Sequence, residues 1–272
     1  MRRLTVYAAG AVLLLLCLTA LAAPLLAPGD PLALAGRPLL PPFTDPALPL
    51  GTDRLGRDLL AGLIHGARVS LLVGLSAATA ATLLGLLVGT LSGYAGGWTD
   101  VLLMRLTDTV KTVPNFVLAL ALVSVIGPSL GSVILAIAVT AWPGPARVVR
   151  AEVLSLRKRD FVDACRVIGM APWRIALIEV LPNAVAPAIT LGAVTVAGAI
   201  LVETALSFLG LGDPNALSWG RMIAEGQSVL RTRWHLAVLP GIAVVLTVLA
   251  VNILADALTD RLAVRPSEGE RP

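Results

Sequence analysis

Few side chains in this sequence have the types and spacing to do chemistry. Its two histidines, His65 and His235, and its two cysteines, Cys17 and Cys165, lie far apart, so neither a metal cluster nor a disulfide framework is spelled out. No G-x-x-x-x-G-K-[ST] loop is present to cradle a nucleotide phosphate, and neither G-x-S-x-G nor H-E-x-x-H occurs. The chain therefore reads as non-catalytic, with no cofactor, metal or catalytic set of its own. Two features remain. Glu203 is a carboxylate inside the apolar run LVETALSFLGLG. A carboxylate at such a place either faces protein or water and lines a path, or hydrogen-bonds within the fold for structure. The second feature is DACRVIGMAPWRIALIEVLPN, Asp163 to Asn183, which is charged and punctuated by Gly169, Pro172 and Pro182.

The surroundings of these residues are greasy. Of 272 residues, 57% are hydrophobic and only 14% charged, with a mean hydropathy of +0.86. Soluble domains carry about 25% charged residues, so the composition is that of an integral membrane protein. The net charge of +4 does not point to nucleic acid, because the basic residues sit between apolar runs and form no aromatic-interleaved patch.

A spanning helix needs ~20 mainly apolar residues. Six segments qualify: Val6 to about Leu26, Val69 to about Leu91, about Val113 to Ile126, Val133 to about Trp142, Ala184 to about Leu209, and Leu236 to about Leu254. The expected fold class is an all-α integral membrane protein with six transmembrane helices. The opening MRR, apolar run and ALAAP have the look of a signal peptide. The uncharged stretch from Val6 to Ala23 is 18 residues, longer than the usual signal core, which favours an uncleaved anchor. With the N-terminus inside and six alternating spans, fourteen Lys and Arg fall inside and seven outside. That asymmetry places both termini in the cytoplasm and the quoted stretch in the most basic inner loop.

The sequence divides into an anchor (1–27), an extracytoplasmic loop (28–67), a core (68–258) and a cytoplasmic tail (259–272). In the loop, Leu55, Leu59, Leu60, Leu63 and Ile64 share one helical face after GTD. This predicts an amphipathic helix capped by Thr52 or Asp53, lying at the outer surface or simply packing. Span two carries Ala77, Ala81, Gly85, Gly89 and Gly93 at steps of four, a stripe suited to close helix–helix contact.

The stretch that includes Asp163 predicts a helix–turn–helix elbow. Asp160 is a suitable N-cap, Gly169 a helix-ending residue in the left-handed conformation, and Pro172 a first-turn residue of the second helix. That helix carries Trp173, Arg174 and Glu179 among apolar residues, with Leu181 and Pro182 leading into span five. Its apolar residues suit either docking to another protein or packing under the bundle.

This stretch resembles the coupling loop of ABC importer permeases, in which a triplet E-A-A is followed by glycine and then L-P. Here the triplet is Asp163, Ala164 and Cys165, followed by Gly169, Leu181 and Pro182. Further blocks are similar to the dipeptide/oligopeptide/nickel permease group: GTDRLGRDLLAGLIHGARVSLLVG, GYAGGWTDVLLMRLTD, WPGPARVVRAEVLSLRKRDFVDA, ETALSFLGLG, SWGRMIAEG and PGIAVVLTVLAVNILADAL. Departures are Glu179, where many relatives have histidine, and the tail TDRLAVRP. The resemblance implies a type I ABC importer permease fold with a cytoplasmic coupling helix, in a bacterial inner membrane. It implies a homologous permease as partner in a heterodimer, cytoplasmic ABC ATPase subunits that hydrolyse ATP, and an extracytoplasmic substrate-binding protein. Membrane lipid surrounds it, and the expected cargo is peptides, with nickel or another small solute as the alternative. A secondary transporter working alone is the other class; the absence of an intramembrane charge relay speaks against it.

Overall fold

The computed structural model describes the backbone of residues 2–263 and the side chains of residues 3–260. Arg265, Arg271 and most of the 259–272 tail lie outside the described residues. Within them the fold is helical, with no strand and only the isolated bridges Asp45 to Leu48 and Thr52 to Asp58. The helices are α1 (Arg2–Leu21), α2 (Ala23–Leu26), α3 (Leu59–Ala95), α4 (Gly97–Thr112), α5 (Asn115–Ile126), α6 (Leu130–Ala141), α7 (Pro143–Leu156) and α8 (Asp160–Val167). They continue with α9 (Pro172–Arg174), a π-helical segment (Ile175–Val180), α10 (Leu181–Phe208), α11 (Trp219–Gln227) and α12 (His235–Ala263).

Four helical stretches are individually long and apolar enough to cross a membrane, and six spans result if each of two bent pairs is one span. The bends have local causes. Between α4 and α5 the axis turns by 86°. Val113, ahead of Pro114, is extended at φ −92° and ψ 132°, as the proline ring demands of the residue before it. Between α6 and α7 the axis turns by 40°. Pro143 and Pro145 there remove backbone donors from the first turn of α7.

The predicted amphipathic helix of the outer loop begins later than its apolar pattern suggests. Thr52 does not cap it: its hydroxyl donates to the Arg37 carbonyl at 2.5 Å and accepts from the Leu40 amide at 2.8 Å. Asp53 accepts from the Leu55 and Arg57 amides, closing a tight turn instead of a helix. The cap is Asp58, which accepts from the Leu60 amide at 2.9 Å. The residues from Leu59 onward are the first turns of α3 itself, with Leu59 buried and Leu55 exposed.

The centre of the bundle is α3. Its glycine stripe faces α7 of the same chain. A Cβ at Gly85 would lie 2.5 Å from Pro145 Cβ, and one at Gly89 would lie 2.6 Å from the Ala146 carbonyl oxygen. At Gly93 it would lie 2.9 Å from Val153 Cβ. Toward the other end of α3 the same rule continues at positions the sequence reading passed over. Gly66 abuts Trp219 of α11, and Gly74 abuts Ile200 of α10. Without a hydrophobic drive between helices in lipid, such dispersion contacts and interhelical hydrogen bonds are the main source of association. A buried cluster of Val73, Ala77, Val123, Val133, Ile137 and Leu206 completes the packing around α3.

A polar clasp fixes the α3–α7 seam at the end where the bent element begins. Asp100, in the first turn of α4, accepts from Arg150 of α7 through both oxygens, at 2.6 Å each. Ser92 of α3 donates to the same carboxylate. Arg157 then donates to the Tyr94 carbonyl at 2.9 Å and the Gly93 carbonyl at 3.3 Å, satisfying acceptors at the C-terminus of α3.

Two outcomes follow for folding. Gly89→Val would drive a branched side chain into the Ala146 carbonyl, and overpacking of this kind costs about 1–3 kcal/mol. It should lower the thermal midpoint in detergent, whereas Gly241→Ala, with nothing within 4 Å of the added Cβ, should leave it unchanged. Asp100→Asn would weaken the two-pronged hydrogen bonding to Arg150 and should also lower the thermal midpoint in detergent, by about 1 kcal/mol of stability after solvent screening.

Candidate functional site

The stretch from Asp160 to Pro182 forms a closed elbow at one end of the bundle. Its first arm, α8, carries Asp160 and Asp163 in its first turn, where carboxylates favour the positive end of the helix. Arg159, not Asp160, occupies the N-cap position; Asp160 is already helical. Asp163 pairs with Arg166 one turn on, at 2.7 Å, on the exposed face. Ala164 is exposed beside it, and Cys165 turns partly inward.

The corner is a Schellman motif. The Gly169 amide donates to the Arg166 carbonyl and the Met170 amide to the Cys165 carbonyl, both at 3.0 Å. Met170 and Cys165, the two residues whose apolar contact usually accompanies this motif, both pack against the same buried cluster. Gly169 has φ +77°, a conformation an L side chain enters only with strain. A Cβ there would meet nothing within 4 Å, so the demand for glycine is conformational, not spatial.

The second arm is not a separate helix. Pro172 opens it as an N1 residue, and the chain then runs without a break through the π-helical segment into α10. The Leu181 amide donates to the Ala176 carbonyl, five residues back. The wider turn occupies the stretch just ahead of Pro182, where an α-helix would have to accommodate a proline ring and a missing donor. Pro182 therefore stands inside the continuous stretch Pro172–Phe208, where the sequence suggested a boundary.

This geometry divides the apolar residues of the second arm. Ile175, Ala176 and Val180 are buried, and Ile175 and Val180 join Val149, Val153, Leu156 and Val162 in one cluster. Trp173, Leu177 and Ile178 point outward, with Trp173 63% exposed. Val167 and Ile168 at the corner are 87% and 76% exposed. Arg174 lies 5.9 Å from the Trp173 ring centroid. Glu179 and Leu181 are half-buried, and Pro182 is exposed. The elbow thus has an inner face that anchors it and an outer apolar face ringed by charge.

Glu203 stands far from this element, about 33 Å along α10 at 1.5 Å per residue. It is 2% exposed. Ser70 of α3 donates to one carboxylate oxygen at 3.1 Å, and Ser207 donates to the other at 2.7 Å. The Trp219 amide in turn donates to Ser70 at 3.3 Å. Ser207 is one turn from Glu203 and was within reach of the sequence. Ser70 and Trp219 were not, since only packing of α3, α10 and α11 brings them together. The same holds for Asp100, Arg150 and Arg157 at the base of the elbow.

Comparison with known proteins agrees with this architecture. Residues 81–267 match the family model described as "Binding-protein-dependent transport system inner membrane component". The chain is 40% identical over 256 residues to the di/tripeptide transport system permease protein DppC of Pseudomonas aeruginosa, covering 92% of this chain and 84% of that one. It is 35% identical over 214 residues to the glutathione transport system permease protein GsiD of Pectobacterium atrosepticum, covering 78% and 71%. Among solved structures, inward-facing conformations of the MetNI methionine ABC transporter superpose with a TM-score of 0.57 at 18% identity, covering 74% of this chain and 97% of that one. An amino acid ABC transporter gives a TM-score of 0.56 at 16% identity, covering 74% and 94%. Similarity at that identity speaks for the fold, and the sequence matches speak for the family. The chain belongs to the binding-protein-dependent transport system inner membrane components, as a permease subunit of an ABC importer.

Proposed function

We propose that this permease forms half of a translocation path for small peptides and that its elbow, Asp163 to Pro182, is gripped by a separate ATPase subunit. Several permeases it is similar to carry names of di/tripeptide, dipeptide or peptide transport, which supports peptides as the cargo. A second, homologous permease supplies the other half of the path. An extracytoplasmic binding protein delivers the solute. Both termini lie in the cytoplasm of a bacterial inner membrane, with 1–27 as an anchor, 28–67 as the outer loop, 68–258 as the permease core and 259–272 as a tail.

One observation carries the assignment to the elbow: its inner residues Ile175 and Val180 are locked into the bundle while Val167, Ile168 and Trp173 stay exposed. An element fixed on one side and bare on the other can transmit a displacement from a bound partner. Since Pro172–Phe208 is a continuous helical stretch, movement of the corner is passed directly to the span that bears Glu203. ATP binding moves a two-state equilibrium only through different affinity for its two states. A near-complete switch needs roughly 10⁴-fold, or ~5.5 kcal/mol.

Crosslinking tests this. With Cys17 and Cys165 replaced, Trp173→Cys should form a crosslink to an ATPase subunit in the assembled complex; failure to capture any nucleotide-hydrolysing subunit from positions 163–180 would end the assignment. A second test uses the corner. Gly169→Val should insert normally but lose coupling between ATP hydrolysis and uptake, because a left-handed conformation costs an L residue about 1–2 kcal/mol. Gly169→Asn, which enters that conformation more readily, should keep most of it. Full uptake at a normal ATP-to-solute ratio in the valine variant would contradict the role given to this corner.

A further inference from the structure

Both bent spans break beside one groove. The first break, at Val113 and Pro114, joins α4 to α5; the second, at Trp142, joins α6 to α7. Lys111 and Asn115 reach the groove from the first break, Ala141 and Gly144 from the second, and Thr195 and Gly198 from α10. Together these segments border about 210 Å³. Room is left on the α10 side, where a Cβ on Gly198 would meet nothing within 4 Å. Thr195 is near the midpoint of α10, about 12 Å from Glu203 at 1.5 Å per residue. Val110, next to Lys111, packs with Ala81 of α3 and Trp142. Lys111, which the sequence placed in an inner loop, therefore stands beside the middle of the bundle.

Lys111, Thr112, Val113 and Pro114 are all exposed on the surface of the bundle. Lipid satisfies neither an ammonium group nor interrupted helical backbone, so this surface must face water or protein. Lys111 has no counter-ion in the chain among the described residues. The carboxylates of its own helix are taken, Asp108 by Arg147 and Asp100 by Arg150, each at 2.6 Å. It is the one charged side chain among the described residues that border the groove. The side chain of Asn115 makes no hydrogen bond among the described residues. The hydroxyls of Thr140 and Thr195 donate to the Ile137 and Leu191 carbonyls at 3.1 and 2.8 Å, which leaves their lone pairs as acceptors. α5 starts at Asn115 without a side-chain cap, so the positive end of its dipole adds to the Lys111 charge. The complement is an anion with N–H donors close behind it. A simple inorganic anion brings the charge without the donors; a peptide's C-terminal carboxylate, with the amide N–H that precedes it, brings both.

We propose that this groove is a station on the translocation path that binds the C-terminal carboxylate of a passing peptide. Lys111 pairs with the carboxylate, and Asn115 and Thr195 accept from the amide behind it. The inference rests on the peptide-importer reading above.

The test uses the purified complex of both permeases and the ATPase subunits in lipid nanodiscs. The binding protein is omitted, so that its own selectivity plays no part. Binding of Ala-Ala and of Ala-Ala amide, which lacks the carboxylate, is measured by saturation-transfer NMR at neutral pH. Ala-Ala should bind at least about tenfold more tightly, a difference of ~1.4 kcal/mol. Lys111→Gln should abolish that preference, and Lys111→Arg should keep it. A second readout needs no peptide. With Cys17 and Cys165 replaced, Lys111→Cys should react with a charged, membrane-impermeant thiosulfonate, as a thiol facing the path does and one facing lipid does not. Equal affinity for the two peptides, no binding of Ala-Ala to the parent complex, or a thiol at 111 that the charged reagent never reaches overturns the proposal. So does a preference that survives in Lys111→Gln, the result expected if a carboxylate of the partner permease already neutralises this lysine. The parent comparison needs no variant, so it stands even if Lys111→Gln fails to assemble. Absence of a co-purifying ATPase sinks the importer reading, whereas an active complex indifferent to the carboxylate sinks only this inference.

Discussion

Close approach of α3 to its neighbours is the contact on which the other features depend. From Gly62 to Gly93 the buried side of this 37-residue helix is mostly glycine, alanine and serine. Near its C-terminal end the stripe admits the backbone of α7; near its N-terminal end it admits α10 and the indole of Trp219. In lipid, where apolar burial gives little drive for helices to associate, backbone proximity supplies the dispersion contacts that replace it. Larger side chains on this stripe would separate α7 and α10 from the centre, and both the elbow and the hydroxyl-lined surroundings of Glu203 would lose their support.

The elbow and the buried Glu203 lie at two ends of one continuous structure. Pro172–Phe208 passes through the bundle with a π-helical segment near its start and Pro187 within it. Its first residues form the outer face of the elbow; its last turns carry Glu203 and Ser207. The polar clasp of Asp100 and Arg150, together with Arg157 on the end of α3, fixes the α3–α7 seam against which the elbow's inner face packs. In the proposed mechanism a partner therefore pushes on an element that is held by packing on one side and continuous with a span on the other. Such a construction transfers displacement to α10 instead of dissipating it in a loop.

Much of this was legible before any coordinates. The apolar runs, their lengths and the basic residues between them gave the class of protein. Gly169 and Pro172 gave the corner, because those two residues have few other uses in that order. What escaped was long-range. The pattern from Leu55 suggested a helix that in fact starts at Leu59, because Thr52 and Asp53 bind loop backbone instead of capping. Pro182 suggested a break, and a widened turn absorbs it. Ser70 and Trp219, Asp100 and Arg150 are separated by many tens of residues and carry no mark of partnership.

By itself, then, the sequence determined which stretches enter lipid, where the chain turns and which family of importers it joins, since these follow from hydropathy, backbone chemistry and short motifs read locally. Only the tertiary structure decided which face of the elbow is anchored, which helix fills the glycine stripe and which hydroxyls surround Glu203. Those relations arise when distant segments pack against each other, and side-chain partnership across a bundle is a property of shape that no single stretch of residues contains.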